Sequence, residues 1–460
     1  MSNCYVIILA AGKGTRMKSK LYKVLHKIAG KSMVEHVLTQ VEEILPQKII
    51  TVVGYGADAI KMQLGERSSY VLQKEQLGTG HAVMQARTLL EKKYGETLVI
   101  SGDTPLLTAR TLKNLCKYHV KNHASLTVLT AKVDDPTGYG RIIRNHLGEI
   151  KKIIEQKDAT QKEAYVQEIN TGIYVFDNEL LFTALSKLNT NNAQGEYYLT
   201  DIIEIFKNSG HSVLAFQISS FEETLGINDR LALAKANSLM RERINKFHMM
   251  NGVTLLDSAS TYIEADVKID SDTTIEGNVN LKGQSKIGSN VFIGSGSEII
   301  DSILEDNTKV IRSVIEKSIL KKGSNAGPFA HLRAQSKLEK NAHVGNFVEV
   351  KAATLKEGVK AGHLSYVGDA KIGREVNLGA GVIFVNYDGK NKFKSQIDDY
   401  AFIGSNSNII APIHIGENAI IATGSTINQD VPKDALALGR ARQIVKKGYA
   451  KRYNHYHKDD

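Results

Sequence analysis

The sequence predicts two domains of different class: an α/β domain with a mostly parallel sheet, then a parallel β-helix of hexapeptide repeats. Three observations predict them. Short β-rich runs alternate with helical patterns up to about residue 229, a stretch without Gly or Pro follows, and beyond it aliphatic residues recur every six positions.

In the first part, Val6–Leu9, Ile49–Val53, Leu98–Ile100, Leu126–Leu129, Ile173–Phe176 and Val213–Phe216 read as strands. Between the first two, Met33, Val34, Val37, Leu38, Val41, Ile44 and Leu45 follow the spacing of one apolar helix face. Alternating strand and helix implies a sheet covered on both faces. From Arg230 to Met250, Ala, Leu, Arg and Lys dominate. This reads as one helix, roughly 30 Å long at about 1.5 Å per residue, ended by Asn251-Gly252 and serving as a connecting arm. The expected domains are therefore 1–229, a linker helix 230–250, and 251–460.

Ile263, Ile269, Ile275, Leu281, Ile287, Ile293 and Ile299 follow at steps of six, each with a small or β-branched residue two positions earlier, from Thr261 to Ser297. The register slips near Asn307–Lys322, returns at Ile372, Leu378 and Phe384, and runs again from Ile403 to Ile427. A period of six suits neither an isolated helix nor a hairpin sheet. It suits a three-sided coil in which each hexad forms one flat side and its aliphatic residue points inward.

The chain has 460 residues, 42% hydrophobic and 23% charged, so ordered cores are expected. With 59 Lys+Arg against 49 Asp+Glu it carries +10. The excess is spread along the chain, apart from the tail after Gly439, with no RNA-stacking motif or long basic block. Anionic metabolites are therefore favoured over nucleic acid or membrane. Two cysteines, Cys4 and Cys116, are too few for a disulfide framework or a Cys-rich zinc site and read as buried thiols. The N-terminal apolar run is too short for a signal peptide, and nothing approaches the ~20 residues that span a bilayer, so a cytoplasmic protein is expected.

Directly after the first strand comes Leu9-Ala10-Ala11-Gly12-Lys13-Gly14-Thr15-Arg16-Met17. Small residues there admit phosphate oxygens to backbone N–H groups, and Arg16 and Lys23 can neutralise their charge. The loop lacks the Gly-Lys-Ser/Thr ending of a Walker loop. With Lys23-Val24-Leu25 it resembles the sugar-nucleotide pyrophosphorylases, as do Gln76-Leu77-Gly78-Thr79-Gly80-His81-Ala82, Gly102-Asp103, Gly138-Tyr139-Gly140-Arg141 and Gln194-Gly195-Glu196-Tyr197-Tyr198-Leu199-Thr200-Asp201. Over essentially its whole length the chain resembles the bifunctional bacterial N-acetylglucosamine-1-phosphate uridyltransferase/glucosamine-1-phosphate N-acetyltransferases. That resemblance implies a Rossmann-like nucleotidyltransferase domain and a left-handed β-helix.

It also implies roles. Leu9, Ala10, Ala11, Gly12, Gln73, Gly78 and Thr79 would hold uracil and ribose, and Gly140, Glu155 and Asn170 the N-acetylglucosamine. Asp103 and Asn228 would ligate Mg²⁺, Asn228 also facing the nucleotide sugar. A sugar-1-phosphate oxygen would attack the α-phosphorus of UTP, with Arg16 and Lys23 stabilising charge. Tyr22 departs from the family, where Pro commonly precedes Lys-Val-Leu.

The interruptions of the hexad pattern are polar: Gly327–Arg333, Gly345–Lys351, Gly362–Ala370 and Val385–Lys392. A stalk needs none of this. An N-acetyltransferase needs a base, oxyanion donors and cations for phosphates. His363, in His-Leu-Ser-Tyr, matches the family's catalytic base, with Glu349 expected to orient or assist it. By resemblance, Arg333, Lys351, Tyr366, Asn377 and Lys392 would bind glucosamine-1-phosphate. Ala380, Asn386, Tyr387, Ser405, Thr423 and Arg440 would line the acetyl-CoA site. Val382-Ile383, Ala334 and Thr423 replace a usual Thr-Ile, Pro and Ala. The resemblance further implies a homotrimer. Two other readings stand beside it: a single-activity sugar-nucleotide pyrophosphorylase with a structural β-helix, and a non-catalytic regulatory or scaffold subunit.

Overall fold

The structure is a computed structural model and describes residues 3–452. The chain divides between Arg243 and Ile244 into two compact units.

In the first unit, among the described residues, nine strands share one sheet. They are β1 (Cys4–Ala10), β2 (Lys48–Val53), β3 (Ser69–Leu72), β4 (Glu96–Ser101), β5 (Leu126–Lys132), β6 (Gly140–Arg144), β7 (Ile150–Ile154), β8 (Glu168–Asp177) and β9 (Val213–Gln217). The order is β9-β5-β8-β4-β1-β2-β3, with β6 on β8 and β7 on β6. β1 runs parallel to β2 and β4, and β9 to β5. β8 runs antiparallel to both β4 and β5. All six expected strands lie inside observed ones. The three that the sequence did not announce are a four-residue strand (β3) and the hairpin β6–β7, whose apolar residues are interrupted by Arg and Lys.

β1 is buried almost throughout because helices cover both faces of a parallel sheet. Two apolar clusters, one per face, contain alternate β1 residues: Tyr5 and Ile7 in one, Val6 and Ile8 in the other. As β1 and β4 are parallel neighbours, their carboxyl ends deliver Ala10 and Asp103 to one place. The apolar helix spans Met33–Glu42, so Ile44 and Leu45 fall beyond its end.

The long helix spans Arg230–Met250 as expected. It is tied down at both ends. Asn237 Oδ1 accepts from Ala29 N, and Arg243 donates to Leu106 O, within the first unit. Ile244 packs on the core of the second unit, and Asn245 donates to Ser258 O and Thr261 O. The arm is thus also a packed helix.

The second unit is a left-handed parallel β-helix of three sheets, with eleven, ten and nine strands among the described residues, each strand pairing with the third one after it until the last coil, where Ile420–Ile421 pairs with Leu436–Ala437, two strands on. Ile275 lies opposite Ile293 and Leu281 opposite Ile299, a step of 18 positions, or three hexads per coil. The inward aliphatic residues form one continuous core. Where the sequence register slips, the step shortens to 16, as from Ile299 to Ile315 and Leu304 to Leu320, because corners lose a residue while the inward ladder continues. From Ile372 to Ile397 the step is 25, and the excess protrudes as the loop 386–394.

Candidate active sites

At the carboxyl ends of β1 and β4 the first unit holds a cavity of about 450 Å³. Leu9, Ala10, Ala11 and Gly12 line it where the chain leaves β1, and Gln73, Gly78 and Thr79 from the segment after β3. Gly140, Glu155 and Asn170 line it from β6, the end of β7 and β8, joined by Lys23, Asp103 and Asn228. Arg16 is the one expected residue outside the lining; it is exposed on the turn Thr15–Met17.

Two distant motifs are joined to build one wall. Gly80 N donates to Tyr197 O, Tyr197 N to Leu77 O, and Leu199 N to Thr79 Oγ1. Gly78 has φ +105°, and a Cβ there would stand 2.6 Å from Tyr197 O, so the Gly-Thr-Gly run exists for this backbone contact.

Charge is sorted within the cavity. Lys23 Nζ donates to Asp103 Oδ2 at 2.5 Å and to Asn228 Oδ1 at 3.1 Å. Two hard oxygens thus converge on a cation, the donor chemistry that suits Mg²⁺. At the other end Thr200 Oγ1 donates to Glu155 Oε1 at 3.3 Å. Burial, with Asp158 and Asp201 nearby, raises the Glu155 carboxyl above its ordinary range. Asp201 is pushed up to about 6 by burial, then by Glu204 and Asp158. Tyr139 and Thr200 line the cavity but had no assigned role, although both sit inside motifs legible in the sequence.

In the β-helix, strands His331–Arg333, Glu349–Lys351 and Tyr366–Gly368 stack in one sheet, placing Arg333 opposite Lys351 and Glu349 opposite Tyr366. Arg333 is bound to Glu349 at 2.6 Å. Lys351 Nζ lies 3.2 Å from Asp369, whose same oxygen accepts from Asn386 Nδ2. Asn386 Nδ2 also reaches the Tyr366 hydroxyl at 3.5 Å. Asp369, unassigned from sequence, is the hub of this patch.

His363 ends a strand of the adjacent sheet, opposite Asn346, and Asn377 lies on that sheet opposite Lys360. The imidazole Nδ1 is 2.7 Å from Asn346 Oδ1. Its recorded partner is therefore Asn346; Glu349, expected to serve it, is engaged by Arg333 on the neighbouring face.

His363, Ala380, Ser405 and Thr423 form a column. Each directly precedes a corner residue of positive φ, namely Leu364, Gly381, Asn406 and Gly424. Asn406 N donates to Ala380 O, Gly424 N to Ser405 O, and Arg440 Nη1 to Thr423 O. Tyr387 and Lys392 lie instead on the protruding loop, bridged to each other. Of the basic tail, residues 453–460 lie outside the described residues.

Residues 5–223 match the family model described as nucleotidyl transferase, and residues 394–429 the model described as bacterial transferase hexapeptide (six repeats). The chain is 60% identical to the "Bifunctional protein GlmU" of Enterococcus faecalis over 98% of its length and 99% of the relative's. It is 57% identical to the proteins so named in Streptococcus mutans, over 98% of each chain, and in Latilactobacillus sakei, over 98% of this chain and 97% of the relative.

Proposed function

The chain belongs to the family of the bifunctional GlmU proteins, and from that premise we propose how its two units divide the synthesis of UDP-N-acetylglucosamine. The second unit acetylates glucosamine-1-phosphate from acetyl-CoA. The first transfers a uridylyl group from UTP to N-acetylglucosamine-1-phosphate and releases pyrophosphate. The observation that carries this reading is the presence, on one chain, of the Lys23–Asp103–Asn228 cluster and of the corner column headed by His363.

In the first head, Leu9–Gly12, Gln73, Gly78 and Thr79 receive the nucleoside, while Gly140, Glu155 and Asn170 receive the acetamido sugar. Lys23 neutralises phosphate charge as the sugar phosphate oxygen meets the α-phosphorus. A phosphate oxygen is already anionic, so no protein base is needed and the residues act by orientation and electrostatics. Asp103 and Asn228 would hold Mg²⁺, which supplies charge neutralisation to the phosphates when bound. Arg16, exposed beside the loop, is left to meet the outer phosphates.

In the second head, Arg333, Lys351, Tyr366, Asn377 and Lys392 hold the sugar phosphate. With Asn346 accepting from Nδ1–H, His363 Nε2 keeps its lone pair and takes the proton of the substrate ammonium. The free amine then attacks the thioester carbonyl, and the thiol of CoA departs. Acetyl-CoA lies along Ala380, Ser405, Thr423 and Arg440, with Asn386 and Tyr387 over it. The loop 386–394 leaves a different corner of the coil from the His363 column. We infer that a second copy brings its loop to that column, in a homotrimer with sites between subunits. We place the functional domains at 1–229 and 251–460, joined by helix 230–250, and the enzyme in the cytoplasm.

The test is thiol release from acetyl-CoA with glucosamine-1-phosphate as acceptor and no UTP, beside pyrophosphate release from UTP with Mg²⁺. Acceptor-dependent thiol is expected. Its absence, in a protein that still releases pyrophosphate, leaves a single-activity pyrophosphorylase with a structural β-helix.

A further inference from the structure

Lys23, which lies between Asp103 and Asn228, belongs to a short segment, Tyr22–Leu25, pressed between two glycine turns. On one side, a Cβ added to Gly14 would stand 2.5 Å from Lys23 Cβ, so the lysine stem lies directly on the Gly14 backbone. On the other, a Cβ at Gly56 would stand 2.4 Å from two atoms of the Tyr22 ring. Both glycines have positive φ, +62° and +84°. Tyr55, beside Gly56, meets the Tyr22 ring edge-on, with centroids 5.5 Å apart and planes at 83°. The Tyr22 hydroxyl has no hydrogen bond among the described residues, so the ring, not the oxygen, makes these contacts. The same turn reaches the nucleotide loop: a Cβ at Gly54 would stand 2.8 Å from Ala11 O. Backbone contacts thus run from the β1 exit loop through Gly54–Gly56 to the Tyr22 ring, one residue from the cation.

We propose that Tyr22, seated on Gly56 and edged by Tyr55, is a positioning residue that holds Lys23 against the reacting phosphates of uridylyl transfer. Lysine has a flexible four-carbon stem, and a displacement of about 1 Å at a charge-stabilising group can cost on the order of 10²-fold in rate. Tyr22 heads the Lys23–Leu25 turn, accepting from Leu25 N at 2.9 Å, so fixing its ring fixes the direction in which the Lys23 side chain leaves. Tyr22 stands where the family commonly has Pro: ring packing replaces a fixed φ as the stiffener.

The proposal rests on the reading of Lys23 as a phosphate-binding cation, and the experiment separates the two. Uridylyl transfer is measured for Tyr22→Ala, Tyr22→Phe, Lys23→Ala and the double variant Tyr22→Ala/Lys23→Ala. Tyr22→Ala is expected to lower kcat by about tenfold or more with the KM for N-acetylglucosamine-1-phosphate unchanged, and Tyr22→Phe to retain wild-type kcat. In the Lys23→Ala background, Tyr22→Ala should cost nothing further, since there is no cation left to position. Gly56→Ala, which pushes on the ring from beneath, should behave as Tyr22→Ala in both backgrounds. Full additivity of Tyr22→Ala with Lys23→Ala, or loss of activity in Tyr22→Phe, overturns the positioning role. Wild-type rates in Lys23→Ala itself overturn the reading of Lys23, and the proposal with it.

Discussion

In the proposed acetyl transfer His363 would serve as a base in one tautomer only, and a single neighbour selects it. Asn346 Oδ1 at 2.7 Å holds the proton on Nδ1. Removing it should leave the ring free to turn and to place its lone pair on either nitrogen. Asn346→Ala is expected to lower acetyl transfer about tenfold while uridylyl transfer is unchanged, measured by thiol and pyrophosphate release. Asn346→Asp, which keeps an acceptor, should recover most of the loss. A second histidine illustrates burial. His119 is enclosed, its Nδ1 2.9 Å from Thr127 Oγ1, and burial lowers its pKa to about 4. The unfolded chain takes up this proton near pH 6.5, the folded chain only near 4. Stability is therefore intact above 6.5 and is lost as pH falls from 6.5 towards 4, up to about 3 kcal/mol. The urea midpoint for loss of uridylyl activity should drop from pH 7 to pH 5 in the parent by more than in His119→Gln. Equal drops would remove His119 as the cause.

At the scale of elements, the hexad is the clearest case of a pattern becoming structure. Ile293 is fully buried, stacked between Ile275 and Val310 of the coils before and after it. Ile293→Ala should cost about 2–5 kcal/mol, because the rigid backbone ladder cannot close over the void. The outward neighbour Phe292 is half-buried, and Phe292→Ala should cost less than half as much. Thermal unfolding of the two variants, followed by loss of acetyl transfer, measures the difference. The same ladder explains where the pattern was hard to follow. Around Asn307–Lys322 the inward positions never stop; the corners shorten, so a count in sixes fails while the stack persists. The hairpin β6–β7 escaped for another reason. Its apolar positions share the segment with Arg141, Arg144, Lys151 and Lys152, and it forms because β8, paired with β5 at Ile169 and Asn170, leaves its other edge there beyond the reach of β4.

At the scale of the molecule, the reacting groups proposed for each head lie in a different unit of the chain, so damage should stay local. His363→Ala is expected to reduce acetyl transfer by on the order of 10²-fold or more and to leave uridylyl transfer near its starting rate. Asp103→Asn should do the reverse. Assaying both reactions on both variants checks this, and equal loss of the two activities in either variant contradicts independent heads.

What the sequence determined by itself was whatever a short stretch can express. The alternation of strand and helix, the six-residue ladder and the uninterrupted helix Arg230–Met250 follow from local periodicity, and the expected cavity residues from the family resemblance that short motifs carry. Which motifs meet is set by the packing of the folded chain. Leu77–Gly80 and Tyr197–Leu199 are joined by backbone hydrogen bonds that neither segment announces. Asp369 gathers Lys351, 18 positions back, and Asn386, 17 positions on at the start of the protruding loop, through side chains that no period predicts. Glu349 turns to Arg333, leaving His363 to Asn346, and Arg16 stays outside the cavity its motif helps to build. The physical reason is common to all four. A side chain's partner is chosen by the register of strands and corners far apart in the chain, and a charge or hydrogen bond is decided within a few ångströms that local sequence does not encode.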